Sequence, residues 1–342
     1  MCLEGRLCLV TGANRGFGLA ISKELARAGA RLVMVCRDPD RGAKAAELVR
    51  ACSGSSRVEL LTADLSRQAA VRRLAREYQF RHRALHVLIH NAATVEPLRR
   101  LTIDGIEITF AVNHLAPFLF TNLLFDQLLK GAPSRVIMVV SAAERAATVD
   151  FNNLFSSEEY SAFDAYAQSK LANVLFAQAL ARRLRETRVS VNCLNPGTAR
   201  TQLRHTLEAA GGAQSSMRPQ ARPSAAIRAG RRLRREVRRS LRSLHTTRPW
   251  TVENGARLAF FMAAAPELTA VSGRHFDSRG ETRTSPQSCD DALAERLWSV
   301  SAALTSESSA PIGRAVANRS QHSGPQTRLA LDPGAAGPPL RR

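Results

Sequence analysis

The chain has 342 residues, of which 44% are hydrophobic, and this is enough apolar material for the core of one large domain. No run of eighteen apolar residues occurs, so the sequence predicts no membrane-spanning helix. The formal net charge is +20, and it is unevenly spread, because residues 200–248 hold thirteen arginines against two glutamates.

Short apolar runs and amphipathic helical patterns alternate along residues 7–200. Strands are predicted at 7–11, 32–36, 58–61, 87–90, 136–140 and 189–194, and helices near 17–28, 40–51, 67–79, 104–130 and 164–186. A helix at about 253–265, a short strand at 273–276 and a helix near 290–304 follow. This alternation is typical of an α/β fold, a Rossmann-type doubly wound parallel sheet with helices on both faces.

Two segments depart from the alternation. Residues 205–250 carry the Gly211-Gly212 pair, Pro219, Pro223 and the arginine-rich run, and residues 305–342 are rich in Ser, Ala, Gly, Pro and Arg. We therefore predict a single domain over 1–304, with a basic insertion at 205–250, and a disordered tail at 305–342.

The spacing of the cysteines and the first residues of the sequence indicate the cellular compartment of the protein. The six cysteines show no metal-type pairing, which predicts reduced thiols and no metal site. An apolar strand pattern begins near residue 7 and leaves no space for a signal peptide before it. The expected location is therefore cytoplasmic.

A glycine-rich turn joins the first predicted strand to the first helix. Its sequence is Thr11-Gly12-Ala13-Asn14-Arg15-Gly16-Phe17-Gly18, with the spacing G-x-x-x-G-x-G. Glycines let the backbone approach a pyrophosphate, and the helix that follows offers free N–H groups at the positive end of its dipole. In this strand–turn–helix–strand context, the turn predicts a dinucleotide site.

The end of the second predicted strand should select the cofactor. An acidic residue there would bind the 2′-hydroxyl of NAD, but Arg37 follows this strand and Arg15 lies in the glycine turn. Two guanidinium groups suit a 2′-phosphate, so NADP(H) is favoured over NAD(H). Asp38 keeps NAD(H) open, and Arg37 with Asp38 as a solvated ion pair is the alternative interpretation.

Tyr166 and Lys170 are one helical turn apart, which places the ammonium group on the same helix face as the phenol. The positive charge is predicted to lower the pKa of the phenol from its ordinary value of about 10. A tyrosine tuned in this way passes a proton to or from a carbonyl or an alcohol. The alternative is a surface pair on an ordinary helix.

Over residues 5–304, these motifs resemble those of the short-chain dehydrogenases/reductases. Residues 11–18 resemble the family's glycine turn, Asp64 its adenine-contacting acid, and Asn91 its N-A-G motif with Ala93 in place of glycine. Four residues resemble the catalytic set: Asn113, Ser141, Tyr166 and Lys170. The resemblance implies the cofactor-binding residues Gly12, Asn14, Arg15, Gly16, Phe17, Gly18, Arg37, Asp64, Asn91, Tyr166, Lys170, Pro196, Gly197 and Thr198.

Residues 113–124 and 169–176 resemble the retinol-dehydrogenase-like branch, which includes the WW-domain oxidoreductase. The branch implies an NADP(H)-dependent oxidoreductase that interconverts a lipophilic carbonyl (retinal-, steroid- or aldehyde-like) and its alcohol by hydride transfer. Tyr166 would be the acid/base, Ser141 would hold the carbonyl oxygen, and homodimers would pair through the tyrosine helix. The alternative is a catalytically weak NADP(H)-binding regulatory protein, which Ala93 and the unusual insertion favour.

Pro117 has no N–H, so in a helix the Asn113 carbonyl loses its partner four residues on. That carbonyl either holds a water linking Lys170 to solvent or is met by a solvent water at a simple kink. His90 and His114 lie close to these motifs and are predicted to be packed residues rather than catalysts.

Residues 227–244 predict a basic amphipathic helix, because leucines and a valine recur at helical spacing among eight arginines. The family resemblance places the segment where a lid covers the substrate pocket. A mobile solvated lid and a peripheral contact with an anionic membrane surface stay open as alternatives. Nucleic acid is disfavoured, because the charge comes without interleaved aromatic residues or a recognition fold.

Overall fold

Buried apolar strands form the centre of the protein, and the computed structural model describes residues 1–156, 160–197, 202–209 and 251–306. The strands are β1 (Leu7–Thr11), β2 (Arg31–Cys36), β3 (Val58–Thr62), β4 (Val87–His90), β5 (Ser134–Val139), β6 (Val189–Leu194), β7 (Arg274–Asp277) and β8 (Gly280–Thr282). They form one sheet in the order β3-β2-β1-β4-β5-β6-β7-β8. Every pair is parallel except β7 with β8.

Helices cover both faces of this sheet. They are α1 (Gly16–Arg27), α2 (Pro39–Ser53), α3 (Gln68–Arg81), α4 (Ile108–Phe110), α5 (Ala116–Leu123), α6 (Phe125–Lys130), α7 (Ala162–Arg183), α8 (Gln202–Ala209), α9 (Val252–Ala264) and α10 (Asp291–Leu304). Successive strand side chains point to opposite faces, so Leu9 belongs to the core cluster shared with α3, α5, α7 and α10, whereas Val10 belongs to the cluster shared with α1, α2 and α9. The predicted doubly wound α/β fold is confirmed.

The helix predicted near 104–130 is wrong in its detail. The segment begins as α4, passes through a π-helical turn over Ala111–Leu115, and continues as α5 and α6. In the π turn, the Ala116 N–H donates to the Ala111 carbonyl, five residues back. Pro117 comes next and cannot donate, so the wider turn forms where the regular ladder loses a donor.

Two short elements, α8 and β8, were not predicted. The antiparallel β8 closes the edge of the sheet through a tight turn after β7, with Gly280 at φ +102°. The predicted insertion at 205–250 lies outside the described residues except for 205–209, which belong to α8, and the predicted tail does so except for 305–306. Among the described residues, no helix has both the length and the apolar character needed to cross a bilayer.

The outer face of α7 is covered by α10. Trp298 packs against Phe118 and Phe176, with ring centroids 5.0 and 5.7 Å away, and the Arg183 guanidinium lies 3.9 Å from the indole centroid. Asp164 is the one exposed residue of α7, all of which the structure describes. A homodimer paired through α7 would have to displace α10 from this face, so the packing does not support the predicted pairing.

Candidate active site

The predicted motifs follow strands that are neighbours in the sheet. The glycine turn follows β1, Asn91 follows β4, Ser141 comes after β5, and Asn195 follows β6. Carboxyl ends of parallel strands meet at one edge, and the strand order reverses between β1 and β4. Reversal of this kind opens the crevice in which sheets of this type bind ligands.

The glycine turn is tightly built against Asn91. Gly12 has φ +66°, and a Cβ at Gly18 would clash with the Gly12 carbonyl oxygen and lie 2.5 Å from Asn91 Nδ2. Asn91 Nδ2 donates to the carbonyls of Thr11 (2.9 Å) and Gly12 (3.1 Å). The turn therefore presents bare backbone at the N-terminus of α1, a cradle that fits the phosphates of a dinucleotide.

Arg37 and Asp38 do not pair with each other. Arg37 is exposed just beyond β2, whereas Asp38 caps α2 by accepting from the Arg41 N–H at 3.0 Å and pairs with Arg41 Nε at 3.5 Å. Beyond β3, the Asp64 carboxylate accepts from the N–H and hydroxyl of Ser66 at 3.0 and 2.8 Å. The structure thus assigns Asp38 to a helix cap, which leaves Arg37 as the charged group at the end of β2.

The far side of the crevice is formed by the segment after β6. Asn195 Oδ1 accepts from the Gly197 N–H at 3.1 Å, and Gly197 has φ +82°. A Cβ at Gly255, in α9, would lie 2.9 Å from both Phe17 Cδ1 and the Pro196 carbonyl oxygen, so these residues are close neighbours. Thr198 lies outside the described residues.

Tyr166, Lys170 and Ser141 converge at the end of β5. Tyr166 and Lys170 are only 6% and 3% exposed, and Lys170 Nζ lies 5.6 Å from the centroid of the phenol ring. Lys170 Nζ donates to the Val139 carbonyl at 3.1 Å, which anchors it to the last residue of the strand. Ser141 follows that strand, and its side chain acts on the Tyr166 hydroxyl by opposing the rise in its pKa.

Burial dominates the titration of both groups. It raises the pKa of Tyr166 to about 12, against the opposing effect of the Ser141 side chain, and it lowers the pKa of Lys170 to about 8. The predicted lowering of the Tyr166 pKa is therefore wrong for this site, because removing the phenolate from water outweighs its neighbours. At neutral pH, Tyr166 is a neutral phenol and a proton donor.

The Lys170 shift predicts a pH-dependent stability. Between about pH 8 and 10.5 the unfolded chain binds more protons than the folded protein, so this group makes stability rise with pH there. Below pH 8, the buried charge is fully destabilising. Lys170→Met should therefore raise the free energy of unfolding by about 2 kcal/mol at pH 7, which is about 1.4 kcal/mol per pKa unit less the lost hydrogen bond to Val139.

Denaturant unfolding at pH 7 and at about pH 10 measures the difference in the free energy of unfolding between Lys170→Met and the parent, which should nearly vanish at the higher pH. Lys130→Met is the matched control, because Lys130 is exposed at the end of α6 and should show no such pH dependence. A Lys170→Met protein less stable than its parent at pH 7 would contradict the assignment.

Asn113 lies in the π turn and braces two segments. Its Nδ2 donates to Ser169 Oγ and to the Thr94 carbonyl, each at 3.0 Å, and its Oδ1 accepts from the Thr94 N–H at 2.8 Å. Its backbone carbonyl accepts from Asn173 Nδ2 at 2.7 Å. The partner that this carbonyl lost at Pro117 is thus replaced by a side chain.

Sequence reasoning missed Thr94, Ser169 and Asn173 as members of this site. Asn173 carries the one usable signal, because it lies seven residues after Tyr166 and so on the same face of α7. It also missed Glu144, which follows Ser141 closely, is 1% exposed, and has a pKa raised by burial. His90 is packed as predicted, with Nε2 2.7 Å from Thr121 Oγ1.

The environment of Tyr166 is apolar. Val95, Ala143 and Ala162 are buried with it in one cluster, against which Leu203 and Leu207 of α8 pack. Within the described ranges, no group of three or more His, Cys, Asp or Glu side chains is placed to hold a metal ion.

Comparison with known proteins decides the family. The model of the short chain dehydrogenase family matches residues 6–211. The chain belongs to this family. Human retinol dehydrogenases 13 and 11 are each 35% identical to it over 303 residues, 88% of this chain and 85% or 86% of the relative. The short-chain dehydrogenase described here is therefore an oxidoreductase of the retinol-dehydrogenase-like branch.

Solved structures agree with this fold. A putative uncharacterized protein from Mycobacterium paratuberculosis superposes with a TM-score of 0.66 at 26% identity, covering 89% of this short-chain dehydrogenase and 95% of the other chain. RhlG of Pseudomonas aeruginosa, solved as an NADP active-site complex, superposes with a TM-score of 0.58 at 25% identity, covering 86% and 98%.

Proposed function

We propose that the protein is an NADP(H)-dependent oxidoreductase that interconverts a lipophilic carbonyl (retinal-, steroid- or aldehyde-like) and its alcohol. The convergence of Ser141, Tyr166 and Lys170 beside the bare glycine turn carries this proposal. The apolar cluster that Leu203 and Leu207 complete around Tyr166 supports a lipophilic substrate, because it offers few polar groups to a hydrophilic one.

In carbonyl reduction, Tyr166 gives its hydroxyl proton to the substrate oxygen, and in oxidation it takes that proton back. The Ser141 hydroxyl orients the same oxygen from the end of β5. Lys170, fixed on the Val139 carbonyl, places an ammonium group near the phenolate that forms as the proton leaves. A bound nicotinamide supplies or accepts the hydride at the substrate carbon.

Three features support NADP(H) as the cofactor. Arg37 is exposed at the end of β2, Arg15 is exposed at the start of α1, and Asp38 is engaged with Arg41. Two guanidinium groups at this edge suit the 2′-phosphate of the adenosine ribose. The NADP complex of RhlG is consistent with this choice.

The test titrates NADPH and NADH by fluorescence and then follows NADPH oxidation with retinal, a ketosteroid and nonanal. We expect NADPH to bind more tightly than NADH and to be oxidised with at least one carbonyl. Arg37→Ala should weaken NADPH binding about tenfold and change NADH binding little, whereas Lys44→Ala, a control at an exposed position of α2, should change neither. NADPH binding without turnover on any carbonyl would favour the regulatory alternative instead.

A peripheral contact with an anionic membrane is also part of the proposal. The basic segment 227–244 lies outside the described residues, so the amphipathic helix stays a sequence prediction. One feature of the described chain supports the contact. Leu98 and Ile103 are 81% and 72% exposed in the loop after β4, with the exposed Arg99 and Arg100 between them.

A further inference from the structure

We propose that Asn173, His114 and Ser301 form a polar bridge of positioning residues that ties α10 to the backbone carbonyl of Asn113. This makes the C-terminal helix part of the active-site framework, an inference that rests on the proposed function. The three side chains come from α7, the π turn and α10, and none of them is hydrogen-bonded to Ser141 or Tyr166.

The hydrogen bond at the Asn113 end of the bridge determines the direction of the other two. The Asn113 carbonyl only accepts, so the Asn173 atom 2.7 Å from it is the amide Nδ2. Asn173 Oδ1 then faces His114 Nδ1 at 3.3 Å, which requires the proton on Nδ1. His114 Nε2 is left as an acceptor, and Ser301 Oγ, 2.8 Å away, donates to it. The bridge therefore has one consistent polarity from Ser301 to Asn113.

The bridge is fully enclosed. His114 and Ser301 are 0% exposed and Asn173 is 2% exposed. The imidazole is surrounded by the rings of Phe110, Phe118 and Phe176, with centroids 5.0, 6.4 and 6.2 Å from its own. Because water cannot replace a lost partner in such surroundings, removing any one member leaves the next polar group unsatisfied.

The far end of the bridge acts on the reacting groups through Asn113. Its carbonyl is held by Asn173, while its side chain holds Ser169, and Ser169 Oγ donates to the Tyr166 carbonyl at 2.7 Å. Ser169 also precedes Lys170 directly. A shift of the π turn would therefore be transmitted to the helix segment that carries both Tyr166 and Lys170, and small displacements of such groups are costly for turnover.

The bridge itself is tested by nitrogen NMR of the full chain labelled with ¹⁵N-histidine, with His114→Asn to assign the signal among the eight histidines. We expect His114 as the neutral tautomer with hydrogen on Nδ1, unchanged down to about pH 5, and Ser301→Ala should shift its Nε2 resonance. A proton on Nε2, or titration near the ordinary value of about 6.5, would overturn the bridge. This readout needs no turnover, so it stands apart from failure of the proposed function.

Kinetics then test the positioning role. We express kcat per NADPH-binding site. Ser301→Ala and His114→Ala should each lower this kcat about tenfold or more, with the affinity for NADPH unchanged. His114→Asn, whose amide replaces the Nδ1 donor toward Asn173, should recover most of the loss. Ser299→Ala is the matched control, because this serine is exposed on the same helix.

Expressing kcat per NADPH-binding site removes the effect of unfolded protein, so a purely structural role would leave it unchanged. Parental kcat per site in both Ser301→Ala and His114→Ala, with the nitrogen signals as expected, would overturn the positioning role while leaving the bridge intact. A parent protein without turnover on any carbonyl would instead count against the proposed function.

Discussion

Tyr166→Phe is expected to lower carbonyl turnover by about 10²–10⁴-fold, the range for loss of a general acid, with little change in NADPH affinity. The phenol is buried, and its pKa of about 12 makes it a neutral donor at pH 7. Phenylalanine fills the same space in α7 but has no proton to give. Steady-state oxidation of NADPH with the carbonyl that the parent turns over measures the loss.

Tyr160→Phe is the matched control for this substitution. The Tyr160 hydroxyl donates to the Glu96 carbonyl at 2.8 Å, and its pKa is also raised to about 12 by burial, so the two tyrosines are alike in chemistry. Only Tyr166 has Ser141 and Lys170 beside it. Tyr160→Phe should retain near-parental turnover, and a Tyr166→Phe protein that works at the parental rate would refute the enzymatic proposal.

Gly18→Ala is expected to weaken NADPH binding by about 100-fold or more, because the added methyl group has no space in the turn. It would clash with the Gly12 carbonyl oxygen and lie 2.5 Å from Asn91 Nδ2. Asn91, which follows β4, in turn holds the carbonyls of Thr11 and Gly12 at the end of β1. The turn therefore cannot relax without moving these two strands. Fluorescence titration of NADPH measures the loss.

Gly54→Ala separates loss of the cradle from general strain. Gly54 has φ +67° at the end of α2, so alanine there costs about 1 kcal/mol of backbone strain, but a Cβ would point into open space. The control should melt slightly earlier and bind NADPH as the parent does. A folded Gly18→Ala protein with parental NADPH affinity would show that the glycine turn is not the phosphate cradle.

The parallel strands and the motifs at their carboxyl ends could be predicted because their signals are local in the sequence. Apolar runs such as 7–11 and 87–90 are buried strands, and each is followed by its motif within a few residues. The π turn at Ala111–Leu115 could not be placed in this way, although Pro117 signalled a lost donor. A proline shows where a helix is disturbed, and the surrounding packing selects the form of the disturbance.

The chemistry of the site was less predictable than its members. Spacing placed Lys170 beside Tyr166, but the pKa of the phenol depends on how much water the fold removes, and that is not written in the spacing. Asn91 was predicted to bind cofactor, and in the structure its amide holds the glycine turn. By sequence, Asp38 left NAD(H) open or paired with Arg37, and in the structure it caps α2 and pairs with Arg41.

The amino-acid sequence alone determined the fold class, the family resemblance and the list of motif residues, since periodicity, turn chemistry and helical spacing act between residues close in the chain. Tertiary structure decided which groups are buried, which carbonyl each amide meets, and that α10 covers α7. The Ser301–His114 hydrogen bond spans 187 residues of sequence, and no local pattern encodes a contact that only the packing of α10 creates.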